Sequence, residues 1–248
     1  MFERNRTRPF IIRYALYLYF LGLSLRNTSK ALKPFVDRSY VAIWYWMQEF
    51  NPNDVFPNKK KSRIIAFVID ETMIQIGDTD AWLWVALEPI HYRILGVSIS
   101  KHRNMLVAES FLKSLVNLYG KHIVYSGDGG SWYPEACNSL MLKHILHTSF
   151  EKNIIERAME YVKDRTEAFD DYYPCRKKAV DCNLTHVYQW LILFVFLYNL
   201  SKSQSKINII KFLMRSGKDL NLTQPTNHYP KVKVHDHLNS KANKFSCC

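Results

Sequence analysis

The period of the hydrophobic pattern changes along the chain, and the changes divide it. Between residues 10 and 50 apolar positions recur at helical spacing in three blocks separated by short breaks. The first block, residues 10–21, stops at Gly22, a residue type that ends helices. Ser24 is a good N-cap for the second, residues 25–35, where Leu25, Ala31, Leu32 and Phe35 are expected to be buried. A short turn at residues 36–38 precedes Ser39, again a good cap, and the third block runs to Phe50. Its apolar face is Ile43, Trp46, Met47 and Phe50, with Val41, Trp44, Tyr45 and Gln48 opposite.

From residue 64 the pattern becomes strand-like. Six consecutive apolar residues, Ile64 to Ile69, predict a strand buried on both faces, with Asp70 and Glu71 at its C-terminal end. That is the edge where α/β sheets place their chemistry. Apolar runs at residues 82–87 and 93–99, around a Glu88-Pro89 turn, complete an antiparallel meander. A helix over 105–119 follows, with Phe111, Leu112, Leu115 and Leu118 on its buried side. A fourth strand, 122–126, ends at Gly127-Asp128-Gly129-Gly130. Next come a short strand over 143–148 and a helix beginning near Asn153. There Asn153 and Glu156 have capping-box spacing. On that helix Ile154, Ile155, Ala158, Tyr161 and Val162 form the packing face. Glu156, Glu160, Lys163 and Glu167 line the other side, with Glu156 and Lys163 two turns apart. The apolar stretches 14–25 and 190–200 fall short of the roughly 18 residues that span a bilayer and read as core helices.

Residues 51–62 carry two prolines, three asparagines and a basic run, and read as a linker. The expected organisation is a helical unit over 1–50, that linker, an α/β unit over 63–200 and a basic, poorly ordered tail over 201–248. The net charge of +12 suggests a polyanionic partner, most often nucleic acid, with an anionic membrane surface as the other candidate. Five cysteines without a CxxC pair do not suggest a secreted disulfide framework. Cys175, Cys182 and His186 match no common zinc spacing and read as ordinary side chains. A soluble cytoplasmic protein, associated with the nucleoid, is the expectation.

Taken singly, each candidate has an ordinary explanation. Asp70 could cap a turn, the Asp128 stretch is a common turn sequence, and Glu156 could belong to a cap or a solvated face. The three N-terminal blocks fit either a plain helical bundle or a helix-turn-helix, whose last helix enters the major groove. In the second case Arg26, Lys30, Lys33 and Arg38 supply phosphate contacts, and Tyr45 lies on the uncovered aromatic face of the reading helix.

The order strand-Asp, meander, helix, strand-Asp-Gly, short strand, helix-Glu resembles the catalytic core of DDE transposases and retroviral-type integrases. With the helical segment in front, it is most similar to insertion-sequence transposases of the IS-six-like group and their archaeal relatives. The resemblance rests on FVIDET (67–72), SGDGGSWYP (126–134), EKNIIERAMEYVKDRT (151–166) and the leader GLSLRNTS (22–29). It implies an RNase H-like mixed sheet flanked by helices, preceded by an all-α helix-turn-helix domain. It also implies that Asp70, Asp128 and Glu156, separated by 58 and 28 residues, hold two Mg2+ or Mn2+ ions. Lys163 takes the place of the basic residue seven positions after the Glu, and Arg157 adds a second cation for the DNA end. The implied activity is binding of element ends, hydrolysis to free a 3′-OH, and transfer of that end into target DNA. Double-stranded DNA and further copies of the chain are the implied partners, with no membrane. Beyond Leu200 the chain does not resemble the family's end. Two other functions remain open: a helix-turn-helix binder without cleavage, such as a degenerate transposase, and a nuclease that cuts but never joins. Convergence of the three acids separates the first from the rest.

Overall fold

The computed structural model describes residues 7–51, 64–76, 79–127, 131–167, 184–202 and 207–214. Its centre is a five-stranded sheet in the order β3-β2-β1-β4-β5. β1 (Ala66–Ile76), β2 (Thr79–Glu88) and β3 (Arg93–Ser100) form the expected antiparallel meander. β4 (Ile123–Ser126) and β5 (His144–Leu146) continue the sheet from the other edge of β1 in parallel. This is an RNase H-like mixed sheet with helices on both faces. β1 is longer than its apolar run: it continues through Asp70 to Ile76 because β2 goes on pairing with it after β4 has ended. Ile65, expected inside, precedes the strand and is exposed.

Alternation along β1 assigns its residues to two cores. Phe67 and Ile69 pack with Trp84 and Ala86 against α4 (Met105–Tyr119) and α5 (Trp132–Ser139). Asn104 caps α4 by accepting the Val107 N–H at 3.1 Å, and Leu118 is only half-buried. Gly96 admits this layer: a Cβ there would lie 2.9 Å from Leu115 Cδ2. The helix α5, directly after the Asp128 stretch, has no counterpart in the sequence reading. On the other face Val68, Ile74 and Ile76 pack against α6 (Ser149–Glu167) and α7 (Leu184–Lys202). Asn199 of α7 holds the edge strand by exchanging two 2.8 Å bonds with the backbone of Ile94.

The N-terminal helices are α1 (Pro9–Phe20), α2 (Leu25–Leu32) and α3 (Tyr40–Gln48). Gly22, at φ +106°, ends α1, and Ser24 and Ser39 cap the next two helices as expected. α2 is shorter than its block, so the connection to α3 is longer than a tight turn. In consequence Phe35 is 70% exposed; Ala31, inside α2, is exposed because it lies off the helix's buried face. Ile43, Trp46, Met47 and Phe50 are buried as the pattern predicts. Their core is continuous with that of the sheet's α6–α7 face. Phe20 meets Phe194 with ring centroids 5.7 Å apart, and Phe50 meets Phe196 at 5.1 Å. Within the stretch expected to be a tail, α8 (Ile207–Met214) is helical and buries Phe212 against Phe196, because its apolar face has a place to pack. The expected linker from residue 52 onward, Asp128, Cys175, Cys182 and residues 215–248 lie outside the described residues.

Candidate active site

The parallel ladder between β1 and β4 ends at the pair Ile69 and Ser126. Asp70 is the next residue of β1, opposite Val85 of β2, at the notch that the end of β4 leaves in the sheet. It lies on the face covered by α6. Burial pushes its carboxyl up to about 6, with the neighbouring charges of Glu71 and Glu156 adding to the shift. The Glu71 N–H, donated to Asp70 Oδ1 at 3.0 Å, and the Arg103 charge oppose it. An acid in this state is short of positive charge.

The helix bringing Glu156 to this point starts earlier than the sequence reading placed it. Ser149 is its first residue, and its capping box is Thr148 with Glu151: the Thr148 N–H and hydroxyl both donate to Glu151, the former at 2.9 Å. Asn153 and Glu156 therefore lie inside the helix, and Glu156 has no capping role. Its carboxylate is half-exposed, 3.9 Å from Lys152 Nζ, and its charge reaches Asp70. Ile154, Ile155, Ala158 and Val162 are buried as expected, joined by Met159, while Glu160, Arg157 and Lys163 are exposed. Glu167, expected on the exposed side, ends the helix. Asp128 is two residues past Ser126, and outside the described residues. Among the described residues no three His, Cys, Asp or Glu side chains gather closely enough to hold a metal ion. Of the expected triad, the structure puts Asp70 and Glu156 within reach of each other's charge.

One cluster escaped the sequence reading. Glu71, next to Asp70, points to the opposite face and is buried. Arg103 binds its Oε1 through both Nε and Nη2 at 2.6 Å, and the Tyr133 hydroxyl donates to its Oε2. Burial and the adjoining acid hold the Tyr133 hydroxyl well above its usual range, so it remains a donor. The guanidinium lies between two indoles, 4.6 Å from the Trp82 ring and 4.3 Å from that of Trp132. Strand alternation alone could have placed Glu71 on the far face, but no spacing pairs it with Arg103. His147 was also missed: its backbone N–H donates to Ser126 O at 2.9 Å, and burial lowers its pKa.

The N-terminal candidates diverge. Arg26 and Lys30 are exposed, Arg26 with its guanidinium 5.3 Å from the Tyr40 ring. Tyr45 is 48% exposed. Arg38 is half-buried: its Nε donates to Thr7 Oγ1 at 2.6 Å and its Nη1 to Asp37 O at 2.9 Å, which makes it a structural tie. α3 is covered on one flank by α7, where Trp44 meets His186 edge-on at 5.1 Å. Among the described residues no helix is long and apolar enough to cross a membrane.

A family model described as a DDE domain, of the IS240 transposase type, matches residues 65–182. An uncharacterized protein of Methanocaldococcus jannaschii is 32% identical over 203 residues, covering 82% of this chain and 92% of that protein. A chain of the simian T-cell lymphotropic virus intasome, solved in complex with PP2A regulatory subunit B56 gamma, is similar at 14% identity and a TM-score of 0.39. That match covers 71% of this chain and 66% of the other. The HTLV-2 integrase catalytic core domain in complex with magnesium is similar at 16% identity and a TM-score of 0.39, over 52% of this chain and 83% of that one.

Proposed function

The chain belongs to the DDE transposase family, and from that premise we propose that it binds the ends of an insertion sequence, cleaves them to a 3′-OH and joins that end to target DNA. The observation carrying this reading is the placement of Asp70. It sits at the end of the parallel ladder, half-buried, under the charge of Glu156, while the adjoining Glu71 is fully engaged elsewhere.

In this reading Asp70, Asp128 and Glu156 hold two divalent cations, Mg2+ or Mn2+. The donor set fits: carboxylate oxygens suit hard cations, and a buried acid raised to about 6 gains most from positive charge. Such ions, when bound, supply charge neutralisation at the phosphodiester and a more acidic attacking water. The chain's own residues do the rest. Asp70 is held by its strand and accepts the Glu71 N–H. Glu156 approaches from α6, on a helix whose start is fixed by its own cap. Arg157 and Lys163, exposed further along that helix, grip the phosphates of the DNA end. The N-terminal helices act as the DNA-reading unit, with Arg26, Lys30 and Tyr45 on its surface, and residues 63–200 as the catalytic unit. Copies of the chain pair the two ends, and a nucleoid-associated location follows from the substrate.

The test is a strand-transfer assay with Mn2+ and DNA carrying the element's ends. Asp70→Ala, Asp128→Ala and Glu156→Ala are each expected to abolish cleavage while end binding survives. Nicking retained by any one of them removes that residue from the site. Wild-type protein that binds ends but never cuts would leave only a DNA-binding protein.

A further inference from the structure

The Glu71–Arg103–Tyr133 cluster is more elaborate than stability requires. A buried ion pair gains little over well-packed apolar residues, since desolvation offsets most of the attraction. Here it draws on four separate pieces of the fold: Glu71 from β1, Trp82 from β2, Arg103 from the connection between β3 and α4, and Trp132 with Tyr133 from α5. Arg103 and Tyr133 converge on the residue that follows Asp70, and the two indoles flank the Arg103 guanidinium. Adjacent strand residues point to opposite faces, so whatever fixes Glu71 also fixes the direction in which Asp70 leaves the sheet. A slip of β1 by one residue would exchange the two carboxylates between faces. It would then cost the three-way grip on Glu71.

We propose that Arg103 and Tyr133 are positioning residues for Asp70: by clamping Glu71 behind the strand, they hold the Asp70 carboxylate toward α6 in the orientation in which it takes a divalent cation. Neither touches substrate; both act through the β1 backbone. The inference rests on the metal-site reading above, so the experiment separates the two. Mn2+ alone is titrated into the full-length chain without DNA, and binding is followed by the loss of the free-ion electron paramagnetic resonance signal. Folding is checked by circular dichroism. Tyr133→Phe keeps the ring and removes only the bond to Glu71. It is expected to bind Mn2+ about tenfold more weakly, the lower end of what loss of a group supporting a metal ligand costs. In an Asp70→Asn background it should produce no further weakening. Arg103→Lys, which keeps the charge but loses the forked contact, provides a second variant and should weaken binding in the same direction. If both variants melt earlier yet bind Mn2+ as tightly as wild type, the cluster is merely structural and the proposal fails. If Asp70→Asn itself binds Mn2+ like wild type, the metal-site reading fails and takes the positioning role with it.

Discussion

Two adjacent carboxylates, Asp70 and Glu71, have opposite fates. Chemically they are near equivalents, and either could serve a metal. Glu71 accepts from Arg103 and Tyr133 on one face, whereas Asp70 has the Glu71 N–H and a neighbouring acid on the other. This has a consequence for stability. The Asp70 carboxyl lies near 6 in the folded chain against 3.8 for a free side chain. Between those values the folded state keeps a proton that the unfolded state has lost, so metal-free stability falls as pH rises through the window and stays lower above it. The loss is on the order of 2–3 kcal/mol. Asp70→Asn, with no charge to bury, should therefore melt several degrees above wild type at pH 8 in chelator, the gap closing toward pH 4. Equal melting temperatures at pH 8 would remove the buried-acid account of the site.

Among the elements, α6 shows how a local rule can mislead by one turn. Asn153 and Glu156 have capping spacing, but so do Thr148 and Glu151, and the helix takes the earlier pair. Once Ser149 is helical, Phe150 and Ile154 fall on one side at i,i+4, although Phe150 remains 50% exposed. Stability and function are thereby divided between two glutamates. Thr148→Ala should cost about 1 kcal/mol in urea unfolding, as the loss of an N-cap does. Glu156→Gln loses only a 3.9 Å surface pair with Lys152 and should stay within about 0.5 kcal/mol of wild type while cleavage disappears. A Glu156→Gln protein that unfolds as readily as the Thr148→Ala protein would put this carboxylate among the structural ones. In α2 the same kind of local rule ran too far: the helix stops at Leu32, leaving Phe35 outside the core.

For the molecule as a whole, the N-terminal helices share a core with the sheet. Arg165 of α6 donates to Leu21 O at 3.0 Å and lies 5.9 Å from the Phe20 ring, while Gln189 of α7 donates to Phe50 O. A side chain at Gly22 would meet Arg165 Nη1 at 2.9 Å, on a backbone at φ +106°. Removing residues 1–50 should therefore expose Phe194 and Phe196 and give a chain that binds hydrophobic dye and self-associates in size-exclusion chromatography. A monomeric, dye-free 51–248 protein would show the two parts to be independent. The net charge of +12 adds a second expectation: end binding should weaken steeply with salt, and less steeply in Lys163→Ala.

Periodicity and turn chemistry were enough, without coordinates, to determine the meander, the order of the five strands, the caps at Ser24 and Ser39, and the apolar face of α3, though not α5 or α8. These depend on contacts between near neighbours, which sequence spacing encodes directly. Tertiary structure alone decided which carboxylate of the Asp70-Glu71 pair is engaged, that Arg103 and Tyr133 reach it, that Arg38 is a tie rather than a free cation, and that the N-terminal helices join the α6–α7 core. Each of these joins residues distant along the chain, and such pairings arise only when the sheet closes and its two faces are filled.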